Sequence, residues 1–188
     1  MATKATQPTK VVTPINELVR FSYAHVFKAT AISEGSEPKF SCAILIPKKN
    51  KKTLLMIKDA IEAAKTAGAK TLGGKTSGLK IPLRDGDAEK PDDPNYAGMY
   101  FFNASSQTRP GVVDENRDDI LDSADFYSGC WGRVSVNFYA FNRNGNRGIA
   151  AGLNHCQKIK DGENLSGIGR AEDDFADEDE DEDDDMLK

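Results

Sequence analysis

Residues 131–143 read WGRVSVNFYAFNR, and their side chains alternate without a break. Val134, Val136, Phe138 and Ala140 share one side; Trp131, Arg133, Ser135, Asn137, Tyr139, Phe141 and Arg143 share the other. A period of two belongs to a strand, because on a helix the same positions would scatter around the axis. NRNGNRG (142–148) follows with the glycines and asparagines that tight turns need, and IAAGLNHCQKI (149–159) reads as the returning strand. The chain must therefore house a long antiparallel hairpin with one apolar side.

The other segments fit around that hairpin. Leu18 to Ile32 is rich in aromatic and β-branched residues and predicts a strand, broken by SEGSEP (33–38). FSCAILIP (40–47) is a second strand, with Phe40, Cys42, Ile44 and Ile46 on one face. The period then changes: Leu54, Ile57, Ile61 and Ala64 fall at helical spacing, and Gly68 stands where the helix can stop. LKIPLRDG (79–86) and YAGMYFFNASS (96–106) return to β character. Residues 1–14, polar and carrying Pro8 and Pro14, read as a flexible arm ahead of one domain over 15–170. One helix among five or more strands, with no βαβ rhythm, predicts a mainly β fold: a five-stranded antiparallel barrel with one interposed α-helix.

Several function classes lose their footing early. No run approaches the roughly 18 apolar residues of a membrane span, and MATKATQPTK lacks the apolar stretch of a signal peptide, so a cytoplasmic protein is expected. Cys42, Cys130 and Cys156 are odd in number and never paired as CxxC, which argues for buried thiols rather than disulfides or zinc. GGKT (73–76) lacks the first glycine of a phosphate loop and follows a helix instead of a strand. DENRDDILDSAD (114–125) imitates a calcium loop, but Asp119 stands where the glycine should and Asp125 where the glutamate should. The same carboxylates, Asp114, Asp118, Asp119 and Asp122, leave open a metal-dependent nuclease or recombination enzyme as the alternative reading. A solvated acidic loop is the simpler account.

The outward side of 131–143 is unusual, because outward faces normally carry small polar residues. Here it carries Trp131, Tyr139 and Phe141 with Arg133 and Arg143. Bases stack on exposed aromatic rings at about 1–3 kcal/mol each, and guanidinium groups hold phosphates. Tyr23 and Lys28 repeat the combination on the first strand, although which side of that strand faces inward stays open, and Arg147 adds charge at the turn. Trp131, Arg133, Tyr139, Phe141, Arg143, Arg147, Tyr23 and Lys28 are the candidate contacts to single-stranded nucleic acid.

The chain ends AEDDFADEDEDEDDDMLK. Twelve of these eighteen residues are acidic and one is Lys, whereas residues 1–170 hold 24 basic and 18 acidic side chains. The body is thus about +6 and the tail −11, within a net charge of −5. Like-charge blocks are commonly disordered. A tethered polyanion also competes with an incoming one, since tethering gives it a high effective concentration. Asp173, Asp174, Phe175, Asp177, Glu178, Asp179, Glu180, Asp181, Glu182, Asp183, Asp184 and Asp185 are therefore the candidate regulatory residues.

FYSGCWGRVSVNFYAFN with GNRGIAAGLNHCQKIKDGENLSG, the upstream LRDGD and NASSQTRPGVVD, and AEDDF entering an acidic tail together resemble a family of bacteriophage and prophage single-stranded DNA-binding proteins. The resemblance runs from about Leu18 to the tail and is most specific from Arg109 to Phe175. It implies an OB-fold, coating of single-stranded DNA without sequence preference in phage replication or recombination, no catalytic residue and no cofactor. It also implies a location in the bacterial host cytoplasm, and replication or recombination proteins as partners of the tail, with a homo-oligomer left open. Replication-type proteins with such tails often finish on an aromatic residue, whereas this chain finishes Met186-Leu187-Lys188.

Overall fold

In the computed structural model, which describes residues 8–31, 33–75 and 77–165, the alternating run is the strand it predicts. The strands are β1 (Lys10–Val12), β2 (Val19–Thr30), β3 (Lys39–Pro47), β4 (Arg84–Asp85), β5 (Met99–Ser106), β6 (Gly111–Val113), β7 (Trp131–Arg143) and β8 (Asn146–Lys160). Helix α1 (Lys51–Ala67) lies between β3 and β4, followed by the short α2 (Gly86–Glu89) and a 3₁₀ turn at Pro94–Tyr96. The acidic run, and with it the disorder expected of 171–188, lies outside the described residues, as do residues 1–7.

Five strands close a ring in the order β2-β3-β5-β8-β7 and back to β2. β3 and β5 pair without interruption from Phe40↔Ser106 to Pro47↔Met99, and β7 and β8 pair from Trp131↔Lys160 to Arg143↔Asn146. A ring of five cannot be antiparallel all the way round, because directions alternate and five is odd. The unavoidable parallel seam is β5–β8, at Ala104↔Ala151 and Ser105↔Gly152. The expected five-stranded barrel is therefore present, with that one departure from antiparallel pairing.

The inner side of the hairpin fills the barrel as the alternation requires. Val134, Val136 and Phe138 pack with Phe21, Ile44, Ile46, Phe102 and Leu153, and the three cysteines are free and buried among them. Helix α1 presents Leu54, Ile57, Ile61 and Ala64 to the same core. Its first turn is capped from a distance: Glu17 accepts from Thr53 N and Thr53 Oγ1, both at 2.7 Å, and from Lys52 N at 3.2 Å. That carboxylate satisfies backbone donors which the start of a helix leaves without partners.

Four expectations need correction. The arm read over 1–14 is not free from residue 10 onward: β1 pairs with β7 from Lys10↔Asn137 to Val12↔Ser135, burying Val11 and Thr13. Arg133 donates from Nε to Thr13 O at 2.8 Å, which ties the segment down. The strand read at 79–86 shrinks to Arg84–Asp85, because α2 begins at Gly86. The β-rich run FYSGCWGRVSVNFYAFN suggests a strand over 126–142, but residues 126–130 precede β7 as a loop that buries Phe126 and Cys130. Finally, β3 is buried on both faces, since Ala43 and Leu45 form a second cluster with Tyr96 and Phe101 on the outside of the barrel.

Candidate nucleic-acid interface

Strand β2 does not keep one phase. Its pairing with β3 runs Arg20↔Leu45, Phe21↔Ile44, Ser22↔Ala43 and then His25↔Ser41, so β2 carries one residue too many between Ser22 and His25. Tyr23 sits in this bulge with φ +45, left-handed backbone that a tyrosine rarely adopts. Such a conformation costs on the order of 1–3 kcal/mol. The bulge inverts the alternation, so Phe21 and Val26 both point inward although their spacing is odd. The question of which side faces inward thus has two answers along one strand. Tyr23 itself is 62% exposed.

The register across the barrel places one residue from each of six strands in a continuous outward row: His25, Ser41, Ser105, Gly152, Asn137 and Lys10. The adjoining row, Cys42, Ala104, Ala151 and Phe138, is buried. From β2 to β7 the outward row crosses four strand spacings, about 19 Å of barrel surface. Its middle is floored by Ser41, Ser105 and Gly152, side chains too small to interrupt a ligand. Tyr23 flanks one end and Tyr139 the other. The Tyr139 ring lies beside Gly152, where an added Cβ would meet Cε1 at 3.6 Å, and the residue is 46% exposed.

A flap formed by residues 84–98 walls this track. Lys48 Nζ lies 2.8 Å from Asp85 Oδ1 and 2.7 Å from Asp87 Oδ2, and Asp87 Oδ1 accepts from Gly98 N at 3.0 Å. The ammonium holds both carboxyls below their usual range, and they in turn raise the Lys48 pKa. Under the flap, Tyr96 meets Phe101 edge-on at 5.0 Å, and burial pushes its hydroxyl up to about 12. Between flap and strands lies a cleft of about 340 Å³ lined by Tyr23, Ser41, Asn103, Ser105, Arg84 and Lys90 among others.

The expected contact residues divide into two groups. Tyr23, Lys28, Tyr139 and Arg143 are exposed, and both tyrosines border the outward row. Trp131, Arg133, Phe141 and Arg147 are half-buried. Trp131 lies eight residues along β7 from Tyr139, about 27 Å at strand rise. Arg20 stands 5.4 Å from its ring and Lys160 5.9 Å, and Gly162 packs against the indole. Arg147 donates from Nη1 to Leu72 O at 2.9 Å, as Arg133 does to Thr13. Arg84, Lys90, Asn103 and the serine floor were not legible as site residues, since the pinned flap brings the two cations beside Tyr23 and the register of β2, β3 and β5 brings the others.

Two of the carboxylates of 114–125 serve the loop that carries them. Asp114 Oδ1 accepts from Asn116 N and Asp118 N, and Asp122 Oδ1 from Ala124 N. Among the described residues no three His, Cys, Asp or Glu side chains are grouped to hold a metal ion.

A five-stranded ring with a helix after its second strand, and a small-residue track across its outer face, defines an OB-type barrel protein. The sequence profile of the family described as Enterobacter phage Enc34, ssDNA-binding protein, matches residues 9–187, and the chain belongs to that family. Putative protein p50 of Acyrthosiphon pisum secondary endosymbiont phage 1 is 31% identical over 161 residues, 81% of this chain and 86% of that protein. The C-terminally truncated single-stranded DNA-binding protein of bacteriophage Enc34 superposes with a TM-score of 0.72 at 26% identity, over 87% of this chain and 95% of the other. The Enc34 protein in complex with ssDNA gives 0.66 at 28% identity, over 87% and 96%.

Proposed function

We propose that this protein binds single-stranded DNA without sequence preference, as a non-catalytic component of phage DNA replication or recombination. The observation that carries the reading is the match, over most of both chains, to a family member whose solved structure holds ssDNA. The geometry agrees: an outward row of small residues between two exposed tyrosines suits a strand whose bases stack and whose phosphates meet cations. Tyr23 and Tyr139 stack bases, while Lys28 and Arg143 neutralise phosphate. Trp131 and Phe141 contribute from the margins. Arg133 spends two guanidinium donors on the fold, on Thr13 O and Gln157 Oε1, and Arg147 one, on Leu72 O, which leaves others for phosphate. The non-catalytic part of the reading is supported by the acidic loop, where Asp114 and Asp122 close their own turns and no three acids group to hold a metal ion among the described residues.

The acidic tail, from Asp173 through Asp185, competes with DNA for this cationic surface and is released to protein partners when DNA displaces it. The test is titration of labelled oligo-dT into the full chain and a 1–170 truncation at several salt concentrations. Binding that weakens with salt, tighter in the truncation and with a gap that narrows as salt rises, is the expected result. No binding by either chain overturns the function, and weaker binding by the truncation overturns the competing tail.

A further inference from the structure

The cleft beneath the flap has features that general coating of DNA does not require. Its volume of about 340 Å³ falls in the small-ligand range, about 300–1,000 Å³. One wall is Tyr23, turned outward by its bulge at a backbone conformation that packing alone does not explain, since the ring remains largely exposed. The opposite wall is the flap, whose sequence is acidic yet four of whose acids are turned to other uses. Asp85 and Asp87 face Lys48, and Asp93 Oδ1 accepts from Asn95 N. Glu89 lies 3.6 Å from Arg84. What the flap contributes to the cleft lining is two cations, Arg84 and Lys90, and the ring of Tyr96. The floor supplies hydrogen-bonding groups from Ser41, Asn103 and Ser105.

Resting on the single-stranded DNA reading, we propose that this cleft is a subsite for one nucleotide of the bound strand, its base on Tyr23 and its phosphate on Arg84 and Lys90. The flap places the cations, and Arg84 exchanges the Glu89 carboxylate for the phosphate as the strand enters. Asn103, at the floor, faces the base edge. Lys48 is a positioning residue: it touches the flap and no part of the ligand.

The experiment measures binding of fluorescein-labelled oligo-dT by anisotropy, using the full chain and the variants Tyr23→Ala, Tyr23→Gly, Tyr23→Phe and Arg84→Gln. Glycine accepts the left-handed backbone of position 23 without a ring, so it separates loss of stacking from collapse of the bulge. Tyr23→Ala and Tyr23→Gly should each weaken binding roughly ten- to a hundredfold, and Tyr23→Phe should restore it. Arg84→Gln should lower the slope of log affinity against log salt by about 1. Wild-type binding with folded Tyr23→Gly and Arg84→Gln proteins that match it in affinity and slope overturns the subsite and leaves the general function standing. If the wild type binds no oligo-dT, the function falls and the subsite with it.

Discussion

Two faces of this barrel set aromatic rings beside cations, and they use them differently. At the Trp131 end of β7 the cations are committed to the chain itself. Arg20 donates to Gly129 O and Glu163 O, Arg133 to Thr13 O, and Trp131 is held between Arg20, Lys160 and Gly162. On the β3–β5 face the aromatic and the cations come from different segments, separated by an open cleft. The first arrangement fastens the N-terminal strand and the residues after β8; the second leaves room for a ligand. Aromatic and basic composition alone does not tell a clasp from a groove. What tells them apart is whether the cations already have carbonyl acceptors.

Mutation should separate the two faces. The largest effect is expected at Gly132, where an added Cβ would sit 1.8 Å from Gln157 O. Gly132→Ala should force β7 off β8 and cost about 3 kcal/mol in urea unfolding. A variant as stable as wild type would show that this end is not tightly packed. Arg133→Ala should cost about 1–3 kcal/mol, because Thr13 O loses a charged donor at a partly buried position. If instead stability holds and only DNA affinity drops, Arg133 belongs to the groove and the contrast fails there.

Tyr139→Ala should do the reverse, leaving the unfolding midpoint within about 0.5 kcal/mol of wild type and weakening oligo-dT binding by about 1 kcal/mol or more. The smallest effect concerns the flap clamp. Asp85 and Asp87 have folded pKa values lowered by Lys48, so the clamp contributes at pH above the ordinary carboxylate range, about 4. It is lost as pH falls through the lowered values, because protonation removes the partners of the ammonium. Amide hydrogen exchange at Gly98, whose N–H is held by Asp87, should accelerate at acid pH before the barrel strands respond. Simultaneous loss would show that the flap is not a separate unit.

The parts of this fold legible in the sequence are those that a local period can specify. Val134, Val136 and Phe138 announce the inner side of β7, and Leu54, Ile57 and Ile61 announce the buried side of α1, because each pattern repeats within one element. What stayed hidden depends on partners far away in the chain. The bulge at Tyr23 inserts one residue and inverts the phase, so no reading at constant period places both Phe21 and Val26 correctly. Strand β1 is only three residues long and exists through its pairing with β7 and the Arg133 contact. The flap depends on Lys48 meeting Asp85 and Asp87, and its clustered acids suggest a plain solvated loop until that ammonium is seen. Family resemblance reached the fold and the class of ligand, while the side chains around the cleft needed the assembled barrel.

The odd number of strands in the ring also bears on how the protein comes to be made. Both closures of the barrel require the last hairpin: β2 meets β7 at Val19↔Gly132 and Arg20↔Trp131, and β5 meets β8 at two positions. Until residues 131–160 exist, β2, β3 and β5 form an open sheet whose apolar face, with Phe21, Ile44 and Phe102, lacks the Val134, Val136, Phe138 and Leu153 side chains that complete its core. The β2–β7 closure joins residues more than a hundred positions apart and so forms slowly, and an incompletely covered sheet is what aggregates meanwhile. A chain cut short before Trp131 should therefore collect as insoluble material, whereas one cut after Lys160 keeps every strand of the ring.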